Sequence, residues 1–252
     1  MIAGQIATLV PIGFLAGICN ALVGGGTLFT FPTLLAAGLP PVLANTTTTV
    51  ALWPGAMTSA FAYRAQLDPM RKELPPRIVV AIVGGLAGAI LLLASGNAFF
   101  FYLVPWLLAV ATLLFTFSPQ IVKRSAELAH GRHRKTRLLV MEFLSAIYGG
   151  YFGAAVGILL LAGMAVSGEE DMQSTNAQRN FLVCFINGVA VLLFVGTGVV
   201  DWRVALIVMA GSIAGGYFGA RVARRIPNPL LRLIITAAGA VFSVYYFVQA
   251  YG

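Results

Sequence analysis

The chain has 252 residues, 59% of them hydrophobic and only 10% charged, with a mean hydropathy of +0.90. A soluble domain carries roughly 25% charged residues, so this composition excludes a soluble globular protein. The net charge of +8 resides in short loops between apolar runs, the pattern of cytoplasmic loops in a membrane protein rather than of a nucleic-acid-binding surface.

In chain order, the first run, Met1 to Tyr63, holds no Lys, Arg, Asp or Glu. It is too long for a signal peptide and lacks a charged leading region, so it reads as mature structure. Segments 5–23, 27–38 and 43–63 fall within it, and Gly24, Gly25 and Gly26 separate the first two. Segment 27–38 has only twelve residues. At about 1.5 Å per residue it reaches roughly 18 Å, well short of a bilayer core about 30 Å thick. The third segment opens on a polar cluster, Asn45, Thr46, Thr47, Thr48 and Thr49, with Trp53 a turn further on. A loop with Arg64, Arg71, Lys72 and Arg77 precedes segments 77–96 and 99–118.

Residues 119–137 form a basic stretch with Lys123, Arg124, Arg132, Arg134, Lys135 and Arg137. Five further apolar segments follow: 138–156, 158–167, 178–200, 204–221 and 230–249. The second of these is again short and follows Gly149, Gly150, Gly153 and Gly157. The third opens on Asn176, Gln178, Arg179 and Asn180, with Asn187 two turns beyond.

The expected fold is an all-α polytopic membrane protein of eight to ten segments. The outward-inward alternation of a transmembrane β-barrel is absent. Gly84–Ala89 matches Gly215–Ala220 at an offset of 131, which also carries Gly26 onto Gly157; an offset of 133 carries Asn45, Thr46 and Thr47 onto Gln178, Arg179 and Asn180. The chain therefore divides into a first repeat, 1–118, a basic linker, 119–137, and a second repeat, 138–252. Placing the basic loops in the cytoplasm puts both termini outside, so the halves have opposite orientations in a cell inner membrane. Inverted repeats with paired short, glycine-interrupted segments point to a secondary transporter whose site lies near the midplane. The half-helices at 27–38 and 158–167, spanning or re-entrant, would turn free N–H groups and positive dipole ends toward an anion.

Candidate substrate-binding residues are Asn20, Gly24, Gly25, Gly26, Thr27, Asn45, Thr46, Thr47, Trp53, Gly153, Gly157, Gln178, Arg179, Asn180 and Asn187. Asn176, Arg179, Asn180, Cys184 and Asn187 share one helix face, as do Asn45, Thr48, Thr49 and Trp53. Arg179 precedes twenty-one uncharged residues and offers a planar fork to a sulfonate or carboxylate; the alternative is pairing with Glu169, Glu170 or Asp171. Glycines 84, 85, 88, 215, 216 and 219 read instead as close-packing positions. Glu142 reads as an interfacial carboxylate, the alternative being a proton site. Cys19 and Cys184 lie in apolar segments without a CxxC or a nearby His, so neither a disulfide nor a metal site is expected, and no catalytic motif or cofactor is expected either.

The stretches "FLAGICNALVGGGTLFTFPTLLAAGLPP", "ANTTTTVAL", "YGGYFGAAVG", "NAQRNFLVCFINGVAVLLF" and "VDWRVALIVMAGSIAGGYFGARVARRIP" resemble the sulfite exporter TauE/SafE family across nearly the whole chain. The resemblance implies an integral membrane permease of two repeated halves that moves sulfite, sulfoacetate, another organosulfonate or a related sulfur anion. The expected partners are a small anionic substrate, the lipid bilayer and a coupling proton or cation, with a homo-oligomer allowed. The alternative readings are a passive anion channel and a carrier of another small anion such as a carboxylate.

Overall fold

The computed structural model describes residues 2–22, 25–62, 67, 73–127, 134–166, 172–222 and 228–252. Gly24, Arg64, Arg71, Lys72, His130, Arg132, His133, Glu169, Glu170, Asp171, Arg224 and Arg225 lie outside the described residues. Within them the chain is helical, with no strand: α1 (Ile2–Leu22), α2 (Thr27–Ala36), α3 (Pro41–Ala62), α4 (Leu74–Thr116), α5 (Ser118–Glu127), α6 (Arg134–Tyr151), α7 (Val156–Val166), α8 (Met172–Gly196), α9 (Trp202–Val222) and α10 (Asn228–Tyr251). In hydrocarbon every backbone polar group needs an internal partner, and helices supply it segment by segment. Leu74–Thr116, Ser174–Gly196 and Leu233–Tyr251 are long and apolar enough to cross a membrane. The outer faces are apolar too: Leu192 is 71% exposed, and Phe61, Leu233, Val241 and Val248 are similarly bare. Such a surface is stable only against lipid. The molecule is an all-helical polytopic membrane protein.

α4 has 43 residues, and at about 1.5 Å each it would span twice the hydrocarbon thickness if straight. It breaks at Gly96, whose φ of 69° and ψ of 163° lie in a region open only to glycine. Residues 74–95 and 97–116 are therefore two arms, with the corner where the sequence separates its fourth and fifth segments. Beside that break, Asn97 Oδ1 accepts the Val42 N–H at 3.1 Å and so caps the first turn of α3. Within the basic stretch 119–137, residues 119–127 and 134–137 are described. Its first part is the surface helix α5, which packs on α7 without burying a residue, and its end forms the start of α6.

Glycines set the closest helix pairs. A Cβ at Gly215 would fall on Phe14 O, one at Gly17 on Ser212 O, and one at Gly211 only 2.5 Å from Val10 O, so α1 and α9 touch backbone to backbone. Gly88 meets Ile147 O and Gly150 meets Gly85 O in the same way, joining α6 to the 74–95 arm of α4. Without a hydrophobic drive between helices in lipid, such close approach supplies the dispersion contact that holds them together. The packing expected at positions 84, 85, 88 and 215 is thus present. α3 packs on α8, and α10 on the 97–116 arm through Trp106 and Phe247, centroids 4.9 Å apart.

The short helices α2 and α7 sit inside this frame. Leu28, Phe31 and Leu34 of α2 and Ile158, Leu160 and Met164 of α7 are buried. Phe31 stacks edge-on against Phe152 at 5.4 Å and Phe100 at 6.0 Å, tying α2 to the end of α6 and to the α4 corner. Tyr246 Oη donates to Pro32 O at 2.7 Å from α10, satisfying a carbonyl of α2.

Candidate functional site

Two interrupted stretches of backbone meet in the interior. Gly26 precedes α2 with helical angles, φ −57° and ψ −35°, so its glycine is explained by space. A Cβ there would lie 2.6 Å from Ala16 O and 3.4 Å from Asn20 Cβ, so Gly26 brings the start of α2 against α1 beside Asn20. Gly25 packs on Phe115 and Ile235, away from any opening. In the second half, α6 ends at Tyr151 and two left-handed residues, Gly153 (φ 81°) and Ala155 (φ 62°), reverse the chain before α7. A non-glycine residue with that φ stores strain, which clusters at functional sites. The first N–H groups of α7, from Val156 and Gly157, have no acceptor within their own helix.

A cavity of about 50 Å³ opens where these ends converge. Asn20 of α1, Thr27 of α2 and Thr49 and Gly55 of α3 line it from one side. Gly153, Gly157 and, from α8, Arg179, Asn180 and Asn187 line it from the other. Arg179 is the one charged side chain on the wall among the described residues. It lies across Gly157, where a Cβ would meet its Cδ at 3.2 Å, and its Nη2 donates to Asn180 Oδ1 at 2.9 Å. Asn187 Oδ1 is buried without a hydrogen-bond partner. The wall thus combines a guanidinium with carboxamides and two threonine hydroxyls beside two helix starts. Such a set holds an anion through charge-assisted hydrogen bonds.

Of the residues singled out in the sequence, Asn20, Thr27, Gly153, Gly157, Arg179, Asn180 and Asn187 come together here. Gly24 is outside the described residues. Asn45, Thr46 and Thr47 are turned elsewhere. Asn45 Nδ2 donates to Tyr151 O at 3.0 Å, Thr46 Oγ1 to Leu43 O at 3.1 Å and also to Val199 O, and Thr47 Oγ1 accepts the Asp201 N–H at 3.0 Å. These three bolt α3 to the end of α6 and to the turn before α9. Trp53 Nε1 donates to Cys184 O at 3.1 Å, and the ring covers Gly188 on an apolar groove between α3, α4 and α8. Thr49, on the same helix face as Asn45, Thr48 and Trp53, lines the wall one turn after Asn45, whereas Leu52, Gly55, Ala56, Val156 and Val183 are wall residues that no polar pattern marks.

Gln178 also points away from the cavity. Its Oε1 accepts from Arg77 Nη1, and Arg77 Nε donates to Glu142 Oε1 at 2.7 Å. Arg77 is 2% exposed and Glu142 1%, so neither is the loop or interfacial charge the sequence suggested. Arg77 is a lone charge in the first turn of an apolar helix, and Glu142 follows Arg134, Lys135 and Arg137 along α6, so both positions read as interfacial until the partner helix is known. Among the described residues no group of three His, Cys, Asp or Glu side chains is placed to hold a metal ion.

The model of the family described as sulfite exporter TauE/SafE matches residues 9–246. The chain belongs to the TauE/SafE sulfite exporter family. Curated relatives of this TauE/SafE protein agree on the broad activity. It is 28% identical over 236 residues to a Haemophilus influenzae protein named "probable membrane transporter protein", covering 91% of this chain and 89% of the relative. It is 23% identical to the "probable membrane transporter protein YfcA" of Escherichia coli K12, over 98% and 91% of the two chains. A Sinorhizobium protein, "probable membrane transporter protein ORF9", is 26% identical over 92% and 90%. No solved structure matches the chain significantly. The protein is a membrane transporter of the TauE/SafE family.

Proposed function

We propose that the protein is a secondary carrier of small sulfur oxyanions, sulfite or a short organosulfonate, in the cell inner membrane. The carrying observation is the cavity where Arg179 and the starts of α2 and α7 converge. A water needs about 10–15 Å³ of such space, so a cavity near 50 Å³ holds the equivalent of about three or four waters, the scale of one small oxyanion. Helices from both ends of the chain contribute, and α1 on α9 is matched by α6 on the first arm of α4. That exchange of partners supports two inverted repeats, 1–118 and 138–252, which rock about the site so that it opens to one side at a time. In this reading the termini lie outside and the 119–137 region lies in the cytoplasm.

Uptake of radiolabelled sulfite and sulfoacetate into proteoliposomes tests the proposal. A hydrogen bond to a charged group contributes about 1.5–3 kcal/mol, so Arg179→Ala should reduce transport efficiency about 10- to 100-fold. Arg179→Lys, which keeps the charge but loses the fork, should recover only part of it. Undiminished transport by Arg179→Ala would remove Arg179 from the site.

A further inference from the structure

The Arg77–Glu142–Gln178 cluster lies off the cavity and has no part in anion binding as described. Arg77 Nε donates to Glu142 Oε1 at 2.7 Å, Nη2 completes the ion pair, and Nη1 donates to Gln178 Oε1. Gln178 Nε2 in turn donates to Ser174 Oγ at 3.1 Å. Three helices are thereby joined: α4, α6 and α8. Glu142 is the one buried acidic side chain among the described residues.

The charges around it are few. Arg77 is the only charged residue in α4, and α7 has no titratable side chain. α8 offers Arg179, on the cavity wall, and Cys184, beside Trp53. On α6 itself Arg134, Lys135 and Arg137 lie toward its start, Tyr148 and Tyr151 toward its end. Desolvation offsets the Coulomb gain of a pair this deep, and apolar residues of the same volume would serve stability as well. Ionisable residues retained inside a membrane segment mark pathways and relays.

The decisive feature is adjacency along α8. Gln178 touches the buried pair, and the next residue, Arg179, touches the cavity. A displacement of this turn on anion binding moves both side chains.

We propose that Glu142 is a proton-binding site that couples anion movement to proton movement, with Arg77 and Gln178 as its link to the cavity; this rests on the anion-carrier reading above. When Gln178 draws Arg77 aside, the carboxylate left in a low-dielectric interior takes one proton, as hydronium from the water-facing side. One O–H bond forms at Glu142 as one breaks in hydronium, which is left as water, and Arg77 remains the guanidinium partner. When Arg77 returns, the proton leaves to water at the open face. Anion and proton affinities are then reciprocally linked.

Two assays on proteoliposomes with radiolabelled sulfite as the probe separate the possibilities. Counterflow, with equal anion on both sides and no pH gradient, reports the carrier alone. Accumulation against a concentration gradient under an imposed pH difference reports coupling. With one proton per anion, a gradient of one pH unit should give about tenfold accumulation by the wild type. Glu142→Gln keeps the hydrogen-bonding shape without the proton, so it should retain counterflow and lose accumulation. If the single variant leaves Arg77 unbalanced and does not fold, Arg77→Gln/Glu142→Gln removes both charges and should behave the same way. Wild-type counterflow without accumulation under the imposed pH difference would overturn the proton site and leave the carrier standing. Accumulation by either variant at the wild-type level would also overturn it, since the proton then rides on the anion itself. Absence of wild-type counterflow would instead overturn the carrier reading.

Discussion

Arg179 and Gly157 are set against each other with no space for one more carbon. A methyl at position 157 meets Arg179 Cδ at 3.2 Å, and that atom belongs to a flexible chain that can shift. Gly157→Ala therefore moves the guanidinium without breaking a helix pair. Displacement of a charge-assisted contact worth about 1.5–3 kcal/mol should raise the apparent KM for the anion roughly tenfold or more. Thermal stability in detergent should stay near the wild-type value, and a melt alongside transport kinetics checks both. An unchanged KM would place the anion away from this end of α7. The same scale explains what the sequence concealed. Nothing in "ANTTTTVAL" distinguishes Thr49, on the wall, from Thr46 and Thr47, whose hydroxyls meet backbone 153 and 154 residues away. A hydroxyl run marks a polar helix face, while the partner of each hydroxyl is a property of the folded bundle.

At the scale of elements, the interruptions were the readable part. Runs of twelve and ten residues bounded by glycines cannot cross a bilayer, and the structure has α2 at 10 and α7 at 11 residues, buried inside longer helices. The bend of α4 was readable as a gap between two apolar runs, whereas the capping of α3 by Asn97 was not, since 55 residues separate the pair. Arg77 and Glu142 were misplaced for the same reason: a charge close to a basic loop in the sequence is ordinarily interfacial, and the crossing of α4 and α6 buries both. Glycine pairs carry the helix contacts, and here substitution acts on the frame. A Cβ at Gly215 falls on the rigid backbone at Phe14 O, so Gly215→Ala must push α9 off α1. Overpacking of this kind costs about 1–3 kcal/mol, so the variant should melt several degrees lower in detergent. Protein that still inserts should keep its anion KM, because neither helix face at this contact lines the cavity beyond Asn20. A lowered melt with an unchanged KM assigns the glycine to packing.

For the whole molecule, the cavity is useful to a carrier only if the two halves enter the membrane in opposite senses. An odd number of crossings in each half, joined through the 119–137 region, places the α5 surface on one side and the C-terminus on the other. Two exposed positions report this directly: Ala126 on α5 and Gly252 at the end of α10. In a background with Cys19 and Cys184 replaced by alanine, Ala126→Cys should react with an impermeant maleimide only after the membrane is opened. Gly252→Cys should react on intact cells stripped of their outer membrane. The positive-inside rule predicts which is which, since Lys123 and Arg124 lie just before the first position and the final helix ends without a basic residue. Reaction of both sites from the same side would mean that the halves do not cross oppositely. Rocking of one half against the other around Arg179 would then have no symmetric counterpart. The cavity would have to be read as a fixed pore opening, whose sulfite flux follows voltage and shows no counterflow.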